Sequence, residues 1–236
     1  ALLVGKYRLG GITQWTLGME DLATSQAVRE VARSIAPDKV LASVATTRTE
    51  IGFGDAVNIS GQFTLPDKSP VVGLKVWLEF LGADEQWRQV HDVTTSSDGG
   101  ISIPLVLGKP ATVRLYSEGS WEKLEAFSST LDIKVNRKVS VSAPSYVLRG
   151  TQATIAGSVY PRSAGVTVQL QSASLGAAAT QSTSAKVVAT ATTDVQGNYS
   201  FTIPMNSRTL STYNVVLPAD AQWTLASSPT FTILVK

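Results

Sequence analysis

The sequence predicts a mainly β protein, two antiparallel β-sandwiches in tandem preceded by a short strand–helix unit. Three observations carry this. From Val40 onward apolar residues recur with a period of two, which puts one face of each strand on a core and the other in water. Before Val40 the period is 3.6, the spacing of one helix face. The two-residue pattern is also written twice, with an offset of 96 between Gly54 and Gly150.

The elements follow in order. Residues 22–36 place Val28, Val31, Ala32 and Ile35 on one side of a helix, with Arg29, Glu30 and Arg33 on the other. Asp21 suits the N-cap, and Pro37 stops the helix because it lacks an N–H and restricts Ala36. Strands then follow at Val57, Ile59 and Phe63, at Leu74, Val76, Leu78 and Phe80, at Ile101, Ile103, Leu105 and Leu107, and at Leu131, Ile133 and Val135. Turn signals such as Leu-Pro-Asp-Lys and Ser-Asp-Gly-Gly separate them.

After Asn136 the module restarts. Gly54–Gly61 matches Gly150–Gly157, and Gly73–Leu78 matches Gly165–Leu170. Thr94-Thr95 matches Thr192-Thr193, and Ser128-Ser129 matches Ser227-Ser228. Four matches in one order indicate two copies of one unit. The boundaries expected are 1–39, 40–136 and 137–236. The second copy alone carries a long run of small and polar residues between Leu170 and Val187, expected to be a flexible hairpin tip.

Composition narrows the function. There is no cysteine, which excludes disulfide scaffolds and thiolate metal sites. No apolar run is long enough to span a membrane. The net charge of +2 hides a split: residues 41–136 carry 8 basic and 12 acidic residues, and residues 137–236 carry 7 and 2. Such a split speaks to partners rather than to fold, and an anionic cell-wall polymer is an expected partner for the basic half. No nucleic-acid motif stands out.

No self-contained catalytic or metal site is legible. The single histidine, His91, has no Gly-x-Ser-x-Gly to serve, and Gly108-Lys109 lacks the glycine five positions earlier that a phosphate loop needs. No cofactor is implied. The tryptophans are more informative. Trp77 is out of phase with Leu74, Val76, Leu78 and Phe80, hence on the opposite face of its strand, while Trp87, Trp121 and Trp223 lie near turns. All four are candidates for stacking on the apolar faces of sugar rings, against the alternative that they cover sandwich ends.

Two resemblances add to this reading. Tyr7, Gly10, Gly11, Ile12, Trp15, Leu17, Gly18, Glu20 and Asp21 resemble the last strand and helix of a family 18 glycoside hydrolase barrel, of chitinase or peptidoglycan-hydrolase type. That resemblance implies that Trp15 forms the floor under the sugar. It also implies that residues 1–39 are a (β/α)-barrel remnant, and that the rest is an accessory, spacer or wall-binding region of a secreted bacterial hydrolase. The family's Asp-x-x-Asp-x-Asp-x-Glu acid run is absent, so the chain is not itself expected to be an enzyme. The two repeats resemble bacterial immunoglobulin-like or fibronectin-like modules. The alternative is a structural or adhesive cell-surface protein with no hydrolase parent. Residues 11–17, a strand without neighbours, are expected to dock on the first sandwich or to drive self-association.

Overall fold

The computed structural model describes residues 6–7, 21–173 and 186–236, which include a helix at Leu22–Ile35 and two β-sandwiches built on the same plan. Helix α1, Leu22–Ile35, is capped as expected: the Asp21 carboxylate accepts the Thr24 N–H at 2.6 Å. Val28 and Ile35 on its apolar stripe are exposed. The strand expected at 11–17 and Trp15 lie outside the described residues.

The first sandwich comprises β1 Leu41–Thr46, β2 Glu50–Gly52, β3 Ala56–Thr64, β4 Lys75–Leu81, β5 Trp87–Thr94, β6 Gly100–Val106, β7 Ala111–Ser117, β8 Ala126–Phe127 and β9 Leu131–Asn136. One sheet has the order β1-β3-β6; the other has β2-β9-β7-β4-β5, with β8 paired to β7. The second sandwich comprises β10 Lys138–Ser142, β11 Tyr146–Val147, β12 Thr151–Tyr160, β13 Thr167–Ala173, β14 Lys186–Thr192, β15 Asn198–Met205, β16 Leu210–Leu217, β17 Ala226–Ser227 and β18 Phe231–Val235. Its sheets are β10-β12-β15 and β11-β18-β16-β13-β14, with β17 on β16, the same order strand for strand. Even the parallel contacts recur, β2 on β9 and β11 on β18.

Each core is the set of inward alternate residues. In the first, Val57, Ile59, Phe63, Ile101 and Ile103 oppose Val76, Leu78, Val113, Leu115, Ile133 and Val135, all buried. In the second, Ala153, Ile155, Val159, Phe201 and Ile203 oppose Val168, Leu170, Val215, Leu217, Ile233 and Val235. Each large side chain contributes ~1.5–3 kcal/mol.

The matched hydroxyl residues act as staples inside both copies. Thr95 is buried, accepts the Leu74 N–H at 2.9 Å and donates to the Val71 carbonyl at 2.6 Å. Thr193 does the same with Val166 at 3.0 Å and Ser163 at 2.5 Å. Ser128 Oγ accepts the Leu115 N–H, and Ser228 Oγ the Val215 N–H, each at 2.9 Å. Thus Ser128 corresponds to Ser228, one residue later than the sequence match places it. The glycines at matched turns, Gly54 and Gly150 among them, have positive φ in both copies.

The outermost strands share a further device. The β4–β5 register shifts between Leu78 and Glu79, leaving Val90 without a partner, and the β13–β14 register shifts between Leu170 and Gln171, leaving Val188 so. A bulge at a sheet edge spoils it as a template for further strands.

Gly157 tests how tightly the second sandwich closes. A Cβ there would run into the Ser140 carbonyl oxygen and the Tyr199 ring. Tyr199 is itself pinned, its hydroxyl donating to Ser140 O at 2.6 Å, and burial pushes its pKa up to about 12. Gly157→Ala should therefore cost the second sandwich ~1–3 kcal/mol by overpacking, read as a lower urea midpoint. An unchanged midpoint would show that β10 yields freely.

Candidate binding face of the first sandwich

Because alternate residues of β4 and β7 point inward, the residues between them form the outer face of the six-stranded sheet. Register sets them in rows. Asp92 of β5 lies opposite Trp77, Trp77 opposite Tyr116, and Tyr116 opposite Phe127, one row across four strands. The next row is Gln89, Glu79 and Arg114. Trp87 joins at the edge, opposite Leu81.

The side chains interlock. Tyr116 and Phe127 stack with centroids 4.8 Å apart. The Arg114 guanidinium lies 4.1 Å from the Trp87 ring centre and 4.5 Å from that of Phe127. Its Nε donates to Glu79 Oε2 at 2.8 Å, and Glu79 is 5% exposed although it lies on the outer face. Lys75 spans the Trp77 ring at 4.4 Å and reaches Asp92 at 3.3 Å. Cations over indole faces contribute ~0.5–2 kcal/mol each. Burial, and then the negative charges of Glu118, Glu125 and Glu79, hold the Tyr116 phenol above its usual range. The face is thus aromatic, with Lys75 and Arg114 over its rings and the carboxylates of Glu118 and Glu125 close enough to act on Tyr116. It continues into a cleft of about 370 Å³ lined by Leu74, Lys75, Trp77, Glu118, Glu122 and Lys123.

Trp77 and Trp87 are half-buried in this face. Trp121 is separate, 68% exposed in a turn where Ser120 Oγ accepts the Glu122 and Lys123 N–H groups at 3.2 and 3.1 Å. Trp223 does not offer a ring to solvent: it is 7% exposed, with the Arg137 guanidinium 5.1 Å from its ring centre. Nearness to a turn does not tell whether an indole is covered. Tyr116, Phe127, Arg114 and Glu79 were not legible as site residues, since register across strands decides their neighbours. A position-by-position comparison of the two copies would have found them. The second sandwich has Thr190, Gln169, Val216 and Ser227 in the first row, and Gln171 and Asn214 for Glu79 and Arg114.

The sandwiches are immunoglobulin-like. Two packed, mainly antiparallel sheets of matching strand order, without the disulfide of antibody domains, give this directly. No family model matches the chain, and no curated protein does. Among solved structures, the Yersinia pseudotuberculosis adhesin InvE is similar over 81% of this chain and 58% of its own, at 13% identity and TM-score 0.34. The D0-D1 domain of intimin covers 81% of this chain and 97% of its own, at 11% and 0.32. A chimeric titin Z1Z2-Z1Z2 tandem covers 82% and 99%, at 16% and 0.30. Likenesses this distant carry nothing about partners. They do correct the family 18 resemblance of Gly10–Asp21, for the similar solved structures are adhesin and immunoglobulin-type repeat proteins rather than glycoside hydrolases. The physical reason is that the motif is short. A capped helix start such as Asp21 is a generic feature of helices, and among the described residues no βα unit follows it. No helix among the described residues is long and apolar enough to cross a membrane.

Glu79 and Arg114 give this face its testable energetics. Arg114→Ala strands a buried carboxylate, so the first sandwich should lose stability toward the lower end of the ~3–5 kcal/mol that an uncompensated buried charge costs. Lys75→Ala, which breaks an exposed pair and an exposed contact with the Trp77 ring, should cost no more than ~1–1.5 kcal/mol. Denaturant titrations giving equal losses would refute the distinction.

Proposed function

We propose that this chain is an adhesive segment of a bacterial cell-surface protein, made of immunoglobulin-like repeats at 40–136 and 137–236. In this reading the outer face of the first sandwich binds a protein partner, with Trp77, Trp87, Tyr116, Phe127 and Arg114 as its anchors. The observation that carries it is the difference between the copies. One topology is built twice, and the second sandwich does without this aromatic face entirely. Folding therefore does not demand it. Tryptophan, tyrosine and arginine are also the residues that concentrate binding energy at protein interfaces. A glycan stacked on Trp121 and Trp77 is a second reading, favoured by the exposed Trp121 indole. The cations already lying over Trp77 and Trp87 favour the protein partner.

Labelled chain would be applied to arrays of immobilised extracellular proteins and glycans. The proposal expects retention on proteins, and at least ~30-fold weaker retention of a Trp77→Ala/Phe127→Ala variant that melts like the parent. A folded variant retained as well as the parent would overturn it. Retention on glycans alone, lost in Trp121→Ala, would replace the protein partner with a sugar.

A further inference from the structure

The second sandwich has an unusual surface of its own. Tyr146, Leu234 and Leu210 are register partners on three adjacent strands, and all three are exposed, at 58%, 38% and 48%. Leu148 beside them is 62% exposed. Where Tyr146 meets Leu234, the first sandwich pairs Glu50 with Lys134, so the fold does not require apolar residues there. Three cations surround the row. Lys236 Nζ lies 4.8 Å from the Tyr146 ring centre, the Arg149 N–H donates to Lys236 O at 2.8 Å, and Arg149 Nε donates to Asn206 O at 3.1 Å, two residues before Arg208. Among the described residues none of the three is in an ion pair. The acidic residues of this half, Asp194 and Asp220, are elsewhere. Asp194 sits in the turn beside Val159, at the opposite end of β12 from Thr151, and Asp220 caps the Trp223 loop.

On these two surfaces the copies differ from each other, and the differences are opposites. The first sandwich has aromatic rings with Glu118 and Glu125 near them, and with Asp92 already paired to Lys75; the second has leucines and a tyrosine near Arg149, Arg208 and Lys236. The halves that carry them have net charges of −4 and +5, from 8 against 12 and 7 against 2 charged residues. Resting on the reading of the outer face as a binding surface, we propose that its partner is the apolar–cationic row of the second sandwich on another copy of the chain. Leu234, Leu210 and Tyr146 cover Trp77, Tyr116 and Phe127, and the three cations meet the carboxylates around them. The contact is heterologous, since each chain offers one half to each of two neighbours, and it leads to open-ended association rather than a closed dimer. The bulges at Val90 and Val188 spoil the β5 and β14 edges as routes of assembly.

Sedimentation velocity tests this on the whole chain. At ~50 mM salt the mean mass should rise with concentration past that of a dimer, and at ~500 mM it should fall back, since the charges are exposed. Trp77→Ala/Phe127→Ala and Arg149→Glu/Arg208→Glu should each stay monomeric while melting normally. Mixed in equal amounts they should form a one-to-one dimer, because each keeps the half the other has lost. A parent chain still monomeric at ~100 µM overturns self-recognition. So does an equimolar mixture that stays monomeric, or either variant associating like the parent. Retention of a monomeric parent on the protein arrays would leave the adhesive reading standing with a different partner. Loss of binding to an anionic wall polymer in Arg149→Glu/Arg208→Glu, with the parent monomeric, would assign the row to that polymer instead.

Discussion

Each six-stranded sheet has to bury one face against its three-stranded partner, and the rest of this molecule depends on that constraint. With a side-chain period of two, the burial of Val76, Leu78, Val113 and Leu115 fixes the register of β4 on β7. A slip of one residue would put Trp77, Glu79 and Arg114 into the core. Thr95 and Ser128, with Thr193 and Ser228 as counterparts, satisfy backbone groups where loops cross the sheet, so the same frame is held the same way twice. Once the inner faces are fixed, the outer faces are free to differ. They do.

Much of the frame was legible because burial writes itself into alternation. The runs at 57–63, 74–80, 101–107 and 131–135 all became strands, and the repeated glycines marked turns that recur with positive φ. β5 was not legible, since it is an edge strand with both faces largely exposed, so its sequence does not alternate. The outward phase of Trp77 could be read, but not its neighbours. Tyr116 and Phe127 are 39 and 50 residues away in the chain and meet it only through strand register. Trp223 illustrates the converse: next to a turn by sequence, it is covered because Asp220 folds its loop back, accepting the Trp223 N–H at 2.8 Å. The family resemblance failed for a related reason, since a dozen residues of strand-then-cap pattern do not distinguish one architecture from another.

The energetics of the outer face separate structure from function. A buried ion pair such as Glu79–Arg114 is weak evidence of stabilisation, because losing both partners together costs little while losing one costs much. A structural role and a binding role therefore make different demands on the same residues. If the face exists to hold the sheet, then the whole set is needed for folding. If it exists to bind, then the set the second copy uses should serve the fold equally well.

That comparison can be made in one chain. Replacing the face with its counterparts, as Trp77→Gln, Glu79→Gln, Arg114→Asn, Tyr116→Val and Phe127→Ser, removes every ring of the face except Trp87 at its edge, and both members of the buried pair. The decisive measurement is the denaturant midpoint of the first sandwich in that variant. The account predicts a cooperative unfolding transition close to that of the parent, within the ~1–2 kcal/mol expected of lost aromatic contacts. A first sandwich that no longer unfolds cooperatively would contradict it, and would make the aromatic face part of the frame.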